Sequence, residues 1–212
     1  MKSASYHRLL LAIVGIVLVW SLVHPHDYLT WLLEVFPALI GGAIVLGTYR
    51  RFRLTNLVYT IIAIHAIILM IGGHYTYAEV PLFNRLRDAG VFARNDYDKV
   101  GHLAQGFVPA LLTRELLLRT SPLAPGKWLT ALCIAVPGAI SAAYEIFEWW
   151  VSVATGSAGD AFLGTQGYVW DTQSDMLMCF IGAVAALVLL SRRHDVQLRK
   201  LQGARAVREG DS

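Results

Sequence analysis

Long apolar runs alternate with short polar breaks along the whole chain. The runs cover residues 9–23, 28–48, 54–73, 98–119, 128–153 and 171–191, and the breaks between them collect Pro, Gly and charge. At about 1.5 Å per residue each run is long enough, with tilt and local thinning, to cross an apolar core of about 30 Å. The pattern predicts an all-α, polytopic membrane helix bundle of about six transmembrane helices. The first run has the look of a signal-peptide core, but HPHD follows it rather than a small-x-small cleavage site, so an uncleaved first span is expected.

Composition agrees with that picture. The chain is 56% apolar and 16% charged, against about 25% charged in a soluble domain. A net charge of +3 can point to nucleic acid, but Arg192, Arg193, Arg199, Lys200, Arg205 and Arg208 follow directly on the last apolar run. That placement reads as a topology signal and leaves no nucleic-acid partner to expect. Of 18 basic residues, 14 fall on the side of the two termini and four (Arg85, Arg87, Arg94, Lys99) on the other. Both termini are therefore expected to be cytoplasmic, with loops 24–27, 74–97 and 154–170 facing out. The domain expectation is one transmembrane domain over residues 1–191 and a basic cytoplasmic tail over 192–212. Cys133 and Cys179 lie in apolar runs at different depths, which argues against a disulfide.

Acidic residues show the opposite bias. Eleven of 15 lie in outward loops or the outer ends of helices, and Glu34, Asp98, Glu145 and Asp175 come to one layer from four helices. The layer contains three helical pairs at i, i+3 or i+4: Asp98 with His102, Glu145 with Glu148, and Asp171 with Asp175. Two carboxylates a turn apart and partly out of water need a cation, a shared proton or a donor between them. The alternatives are a metal, a proton, or partners such as Arg94 and Lys99. Carboxylates with imidazole suit Mg²⁺, Mn²⁺, Fe²⁺ or Zn²⁺, so the candidate metal ligands are Asp98, His102, Glu145, Glu148, Asp171 and Asp175. His102, Glu148 and His74 are the candidate catalytic groups.

Plainer roles compete for some of these positions. Asp98 and Asp171 are well placed to cap helix N-termini, and His65 fits a core histidine bonded to a neighbouring helix. Glu115 beside Arg114 reads as a solvated or snorkelling pair. Trp149, Trp150, Tyr168 and Trp170 form an interfacial aromatic belt. Residues 81–91 read as a short amphipathic helix on the membrane surface and a candidate lid, and residues 155–170 as a glycine-rich connector.

Four stretches, GGHYTYAEVP, NDYDKVGHLAQGF, YEIFEWW and GTQGYVWDTQSDM, occur in that order across nearly the whole chain. Together they resemble the YjdF family of bacterial inner-membrane proteins, a domain of unknown function, which implies an inner-membrane location and no particular reaction. A fainter similarity is to VanZ-like membrane domains: Asp98, Lys99 and His102 fit their first motif, while Glu148 and Cys179 stand where that family has Gln and Asn. This likeness implies a link to the cell envelope. HExxH, Walker, G-x-S-x-G and paired E-x-x-H motifs are absent from the sequence. The functional expectation is a metal-dependent membrane hydrolase or transferase acting on an envelope or lipid-linked substrate. Its alternatives are a proton- or cation-coupled carrier and a non-catalytic assembly or sensor protein.

Overall fold

A computed structural model describes residues 3–156 and 165–210. Seven α-helices account for most of them, and no strand occurs among the described residues. They are α1 (Ser3–Leu22), α2 (Tyr28–Thr48), α3 (Asn56–Tyr75), α4 (Pro81–Asp88), α5 (Tyr97–Thr120), α6 (Lys127–Thr155) and α7 (Asp171–Gly210), with a 3₁₀ turn at Tyr77–Glu79 before α4. Local chemistry sets several of the starts. Asp27 caps α2 by accepting the Thr30 N–H at 2.7 Å, a bond that holds its carboxyl below the usual carboxylate range. Proline opens α4, where its missing N–H costs nothing.

Five helices, α1, α2, α3, α6 and α7, are long and apolar enough to cross a membrane. The sixth expected span is α5, which does not meet that standard because charged residues stand near both its ends. It nevertheless runs the depth of the bundle. Its Asp98 end meets the start of α7, while Glu115, about 25 Å further along at 1.5 Å per residue, bonds to Thr55 at the start of α3 and to His194 late in α7. The polar ends of α5 face other helices, and that is how a helix of modest hydropathy sits at the centre of the bundle.

Around α5 pack α3, α6 and α7, and α1 and α2 add to the far side of α3. The tightest crossing is α5 on α7. A Cβ on Gly106 would fall on the Cys179 carbonyl, and one on Gly182 on the Leu103 carbonyl. Small residues are what let two membrane helices approach this closely. Below the crossing, Val108, Ala110 and Leu111 of α5 join Ala183 and Ala186 of α7 and Val58 and Ile61 of α3 in one apolar core. The crossing also fixes register, because His102 lies one turn above Gly106 and Asp175 one turn above Cys179.

Some boundaries differ from the sequence expectation. Helix α1 starts at Ser3, and α7 continues past residue 191 to Gly210, so the basic segment prolongs the last helix. Helix α4 forms where an amphipathic surface helix is expected and buries none of its residues completely. Cys133 and Cys179 are buried and unpaired with each other. Most of the glycine-rich connector, residues 157–164, lies outside the described residues; residues 165–170 lead into α7.

Candidate functional site

The N-terminal ends of α5 and α7 and the C-terminal end of α6 meet at one end of the bundle. The positive ends of two helix dipoles thus face the carboxylates of Asp98, Asp171 and Asp175. All three are buried, and the protein supplies their counter-charges. Lys99 Nζ donates to Asp175 at 2.6 Å and to Asp171 at 3.0 Å. The Arg94 guanidinium binds Asp171 at 2.5 Å, Asp98 at 3.0 Å and Asp96 at 2.9 Å. Burial by itself would lower the Arg94 pKa, but the Asp98 charge and the bonds to Asp171 and Asp96 outweigh it and hold it above its usual range. Asp98 does not cap α5. Asp96 holds the N-cap position without a side-chain cap bond, and Asp98 accepts instead from Arg94, Lys99 Nζ and the Lys99 N–H.

One step deeper, the balance changes. His102, Glu145 and Asp175 come from α5, α6 and α7, and one donor atom from each lies within 4.8 Å of the others. His102 Nδ1 is 3.1 Å from Gln105 Oε1 and 3.7 Å from Glu145; its Nε2 is 3.8 Å from Asp175. With Gln105 Oε1 as acceptor, Nδ1 carries the proton and Nε2 turns a lone pair toward a carboxylate. Two acceptors facing across that gap suit a cation between them. Glu145 Oε1 is buried with no hydrogen-bond partner among the described residues, and so is Glu34 Oε2. Glu148, a turn beyond Glu145, is buried as well. Glu34, Glu145 and Glu148 form no ion pair with Lys or Arg among the described residues, so three carboxyl groups in this layer call for a proton or a bound cation.

Beside this layer a groove of about 690 Å³ opens between α6 and α7. Ala142, Ile146, Trp149 and Met176 make its apolar wall, and Glu145, Asp171 and Thr172 its polar floor. Trp149 and Val169 at its edge are largely exposed, so the groove faces the lipid side of two spanning helices. Two segments hold the approach to α5 in place. Gln166 exchanges bonds with the Asn95 backbone in both directions, and the Asn95 side chain bonds the Val80 carbonyl and Asn84 of α4. Phe83 of α4 stacks on Phe92 and meets Tyr97 edge-on.

A family profile described as "Predicted membrane protein (DUF2238)" matches residues 6–196. The chain belongs to this family. It is also 48% identical, over 185 residues covering 87% of this chain and 88% of the relative, to the inner membrane protein YjdF of Escherichia coli K12. No solved structure matches it. This family member is thus a multi-pass inner-membrane protein, as its apolar helices require.

Of the six expected ligands, this arrangement brings all to one end of the bundle but divides them. Asp98, Asp171 and Asp175 are all paired with Arg94 or Lys99, and Asp175 is held by Lys99 at 2.6 Å. His102, Glu145 and Asp175 converge, with Glu148 next to them. His74 does not join them: its Nδ1 contacts the Ser21 carbonyl of α1 at 3.1 Å and its ring lies on Trp20. His65 is a membrane-core histidine whose Nε2 is buried with no hydrogen-bond partner among the described residues.

The pair expected to be solvated is the clearest correction. Glu115 is fully buried at the opposite end of the bundle. It accepts from the Thr55 N–H and hydroxyl, from Arg119 at 2.6 Å and from His194 Nε2 at 3.0 Å. Arg114 reaches His194 Nδ1 and Asp195. Spacing reveals only the i,i+4 pair Glu115–Arg119; the bonds from α5 to Thr55, His194 and Asp195 span 60 to 81 residues. The signal in the sequence was the presence of adjacent charges on a helix otherwise lined by apolar residues.

Proposed function

We propose that this protein is a divalent-cation-dependent membrane hydrolase or transferase, acting on an amphiphilic envelope or lipid-linked substrate that reaches the site through the α6–α7 groove. The observation that carries the reading is the convergence of His102, Glu145 and Asp175, with an orphaned Glu145 oxygen; an ion there shares Asp175 with Lys99. One imidazole and two carboxylates make a donor set for Zn²⁺, Mn²⁺ or Fe²⁺, with Mg²⁺ the poorer match because it prefers an all-oxygen shell. Bound there, such an ion supplies an activated water and a polarised ester or phosphoryl oxygen. In this scheme His102, Glu145 and Asp175 bind, Glu148 accepts the proton of the attacking water, and Arg94 and Lys99 hold the aspartates at the mouth in place. His74, held against α1, drops out of the scheme.

The excess of basic residues on the side of the termini supports an outward-facing site with both termini in the cytoplasm. A carrier is less well supported. Between the His65 and His102 level and the Glu115–His194 cluster lies an apolar core that includes Val58, Val108, Leu111, Ala183 and Ala186, and its Tyr59 hydroxyl is engaged by the Leu54 N–H. A purely structural role is the remaining competitor. His102→Gln and Glu148→Gln separate the two, since each keeps polar size while removing basicity. Normal protein level with loss of the phenotype the intact gene confers supports the enzyme; full complementation by both variants contradicts it.

A further inference from the structure

A second cavity lies at the opposite, basic end of the bundle. We propose that this crevice between α1, α3 and α7 binds the phosphate group of an anionic phospholipid. It measures about 460 Å³ and is lined by Tyr6, Asn56, Leu57, Thr60, Arg193 and Gln197, within the size range of ligand pockets. Helix α3 forms the floor, and α1 and α7 flank it without packing extensively on each other.

The lining is all donors and neutral groups. Arg193 takes part in no ion pair among the described residues, while nearby Arg114 and Arg119 are both committed to carboxylates. The Gln197 carbonyl oxygen accepts the Leu57 N–H at 2.9 Å, which leaves its amide NH₂ to face a ligand. Tyr6 and Thr60 fix the α1–α3 wall through a 2.7 Å hydroxyl pair, and the Thr60 hydroxyl donates on to the Asn56 carbonyl. No carboxylate lines the crevice among the described residues. The described acidic groups of this end, Glu115 and Asp195, are satisfied by Arg119, His194 and Arg114. Arg8, Arg199 and Lys200 of this end are also exposed, without ion pairs among the described residues, so the local field favours an anion.

Depth selects a lipid over a soluble ion. The lining residues sit at the starts of α1 and α3 and beyond residue 191 of α7, at headgroup level. A turn or two toward the membrane interior, Leu9, Leu11, Val188 and Leu189 are exposed along α1 and α7, where acyl chains would continue from a bound headgroup. Basic pockets between helices at the membrane surface have this character. The inference stands apart from the proposed enzyme site, which is at the other end of the bundle.

The test uses the full chain purified in neutral detergent and titrated separately with phosphatidylglycerol, phosphatidylcholine and sodium phosphate, reading melting temperature and lipid retained in native mass spectrometry. Phosphatidylglycerol is expected to stay bound and raise the melting temperature, with the other two doing neither. Arg193→Glu should weaken that binding tenfold or more. Gln197→Glu keeps the acceptor for Leu57 and should do the same, whereas Arg192→Ala should change it less than twofold. Equal loss in Arg192→Ala and Arg193→Glu, equal binding of phosphatidylcholine, or protection by phosphate alone would each overturn the proposal.

Discussion

Lys99 on α5 donates to Asp175 on α7 at 2.6 Å and to Asp171 at 3.0 Å, so one ammonium joins the two helices where they begin. Removing it strands the buried Asp175 and leaves Asp171 to Arg94 alone. Lys99→Met is expected to destabilise the bundle by about 3–5 kcal/mol, the scale for breaking a buried ion pair from one side. Adding Asp175→Asn should recover a large part of that loss. Thermal unfolding of the four members of the cycle in detergent measures the coupling, and simple additivity would contradict the pairing.

The α5–α7 crossing makes a second prediction. Gly106→Ala and Gly182→Ala each drive a methyl group into a backbone carbonyl that cannot move away without the helix. A cost of about 1–3 kcal/mol is expected for each. Gly42→Ala, with open space around the added carbon, should be neutral or slightly stabilising. Folded yield and melting temperature distinguish the positions, and equal behaviour of all three would mean the helices do not approach this closely.

These positions show how far the sequence could be read. The apolar runs gave the approximate bounds of the six long helices, because a membrane demands length and hydropathy that sequence displays directly. They also gave the acidic layer, since helical spacing places Glu145 with Glu148 and Asp171 with Asp175. What spacing cannot give is which helices are neighbours. That Lys99 reaches α7, that His74 turns to α1, and that Glu115 meets His194 depend on packing, and packing rests on small residues such as Gly106 and Gly182 that carry no pattern of their own.

Glu115 supplies a prediction opposite to that of a solvated residue. Glu115→Ala removes the acceptor for Thr55, Arg119 and His194 together, and a loss of about 3–5 kcal/mol is expected. A surface pair contributes about 1 kcal/mol or less. An unfolding shift of that small size would return Glu115 to the solvent.

The 14 to 4 distribution of basic residues predicts cytoplasmic termini. In a background carrying Cys133→Ala and Cys179→Ala, Asp88→Cys should react with an impermeant thiol reagent added to intact cells. Gly203→Cys should react only after the membrane is opened. The reverse pattern would put the candidate site on the cytoplasmic face.

The central claim is that His102, Glu145 and Asp175 hold a divalent ion, and metal analysis of the purified protein tests it most directly. After equilibration with Zn²⁺, Mn²⁺, Fe²⁺ or Mg²⁺ and removal of excess, the parent should retain about one ion per chain of at least one of these metals and melt higher than after chelation, because binding to the folded state stabilises it. His102→Gln and Glu145→Gln should retain less than a tenth as much while Asp98→Asn, whose partners are Arg94 and Lys99, retains most of it. A parent that holds no stoichiometric metal and melts at the same temperature with and without chelator would contradict the account.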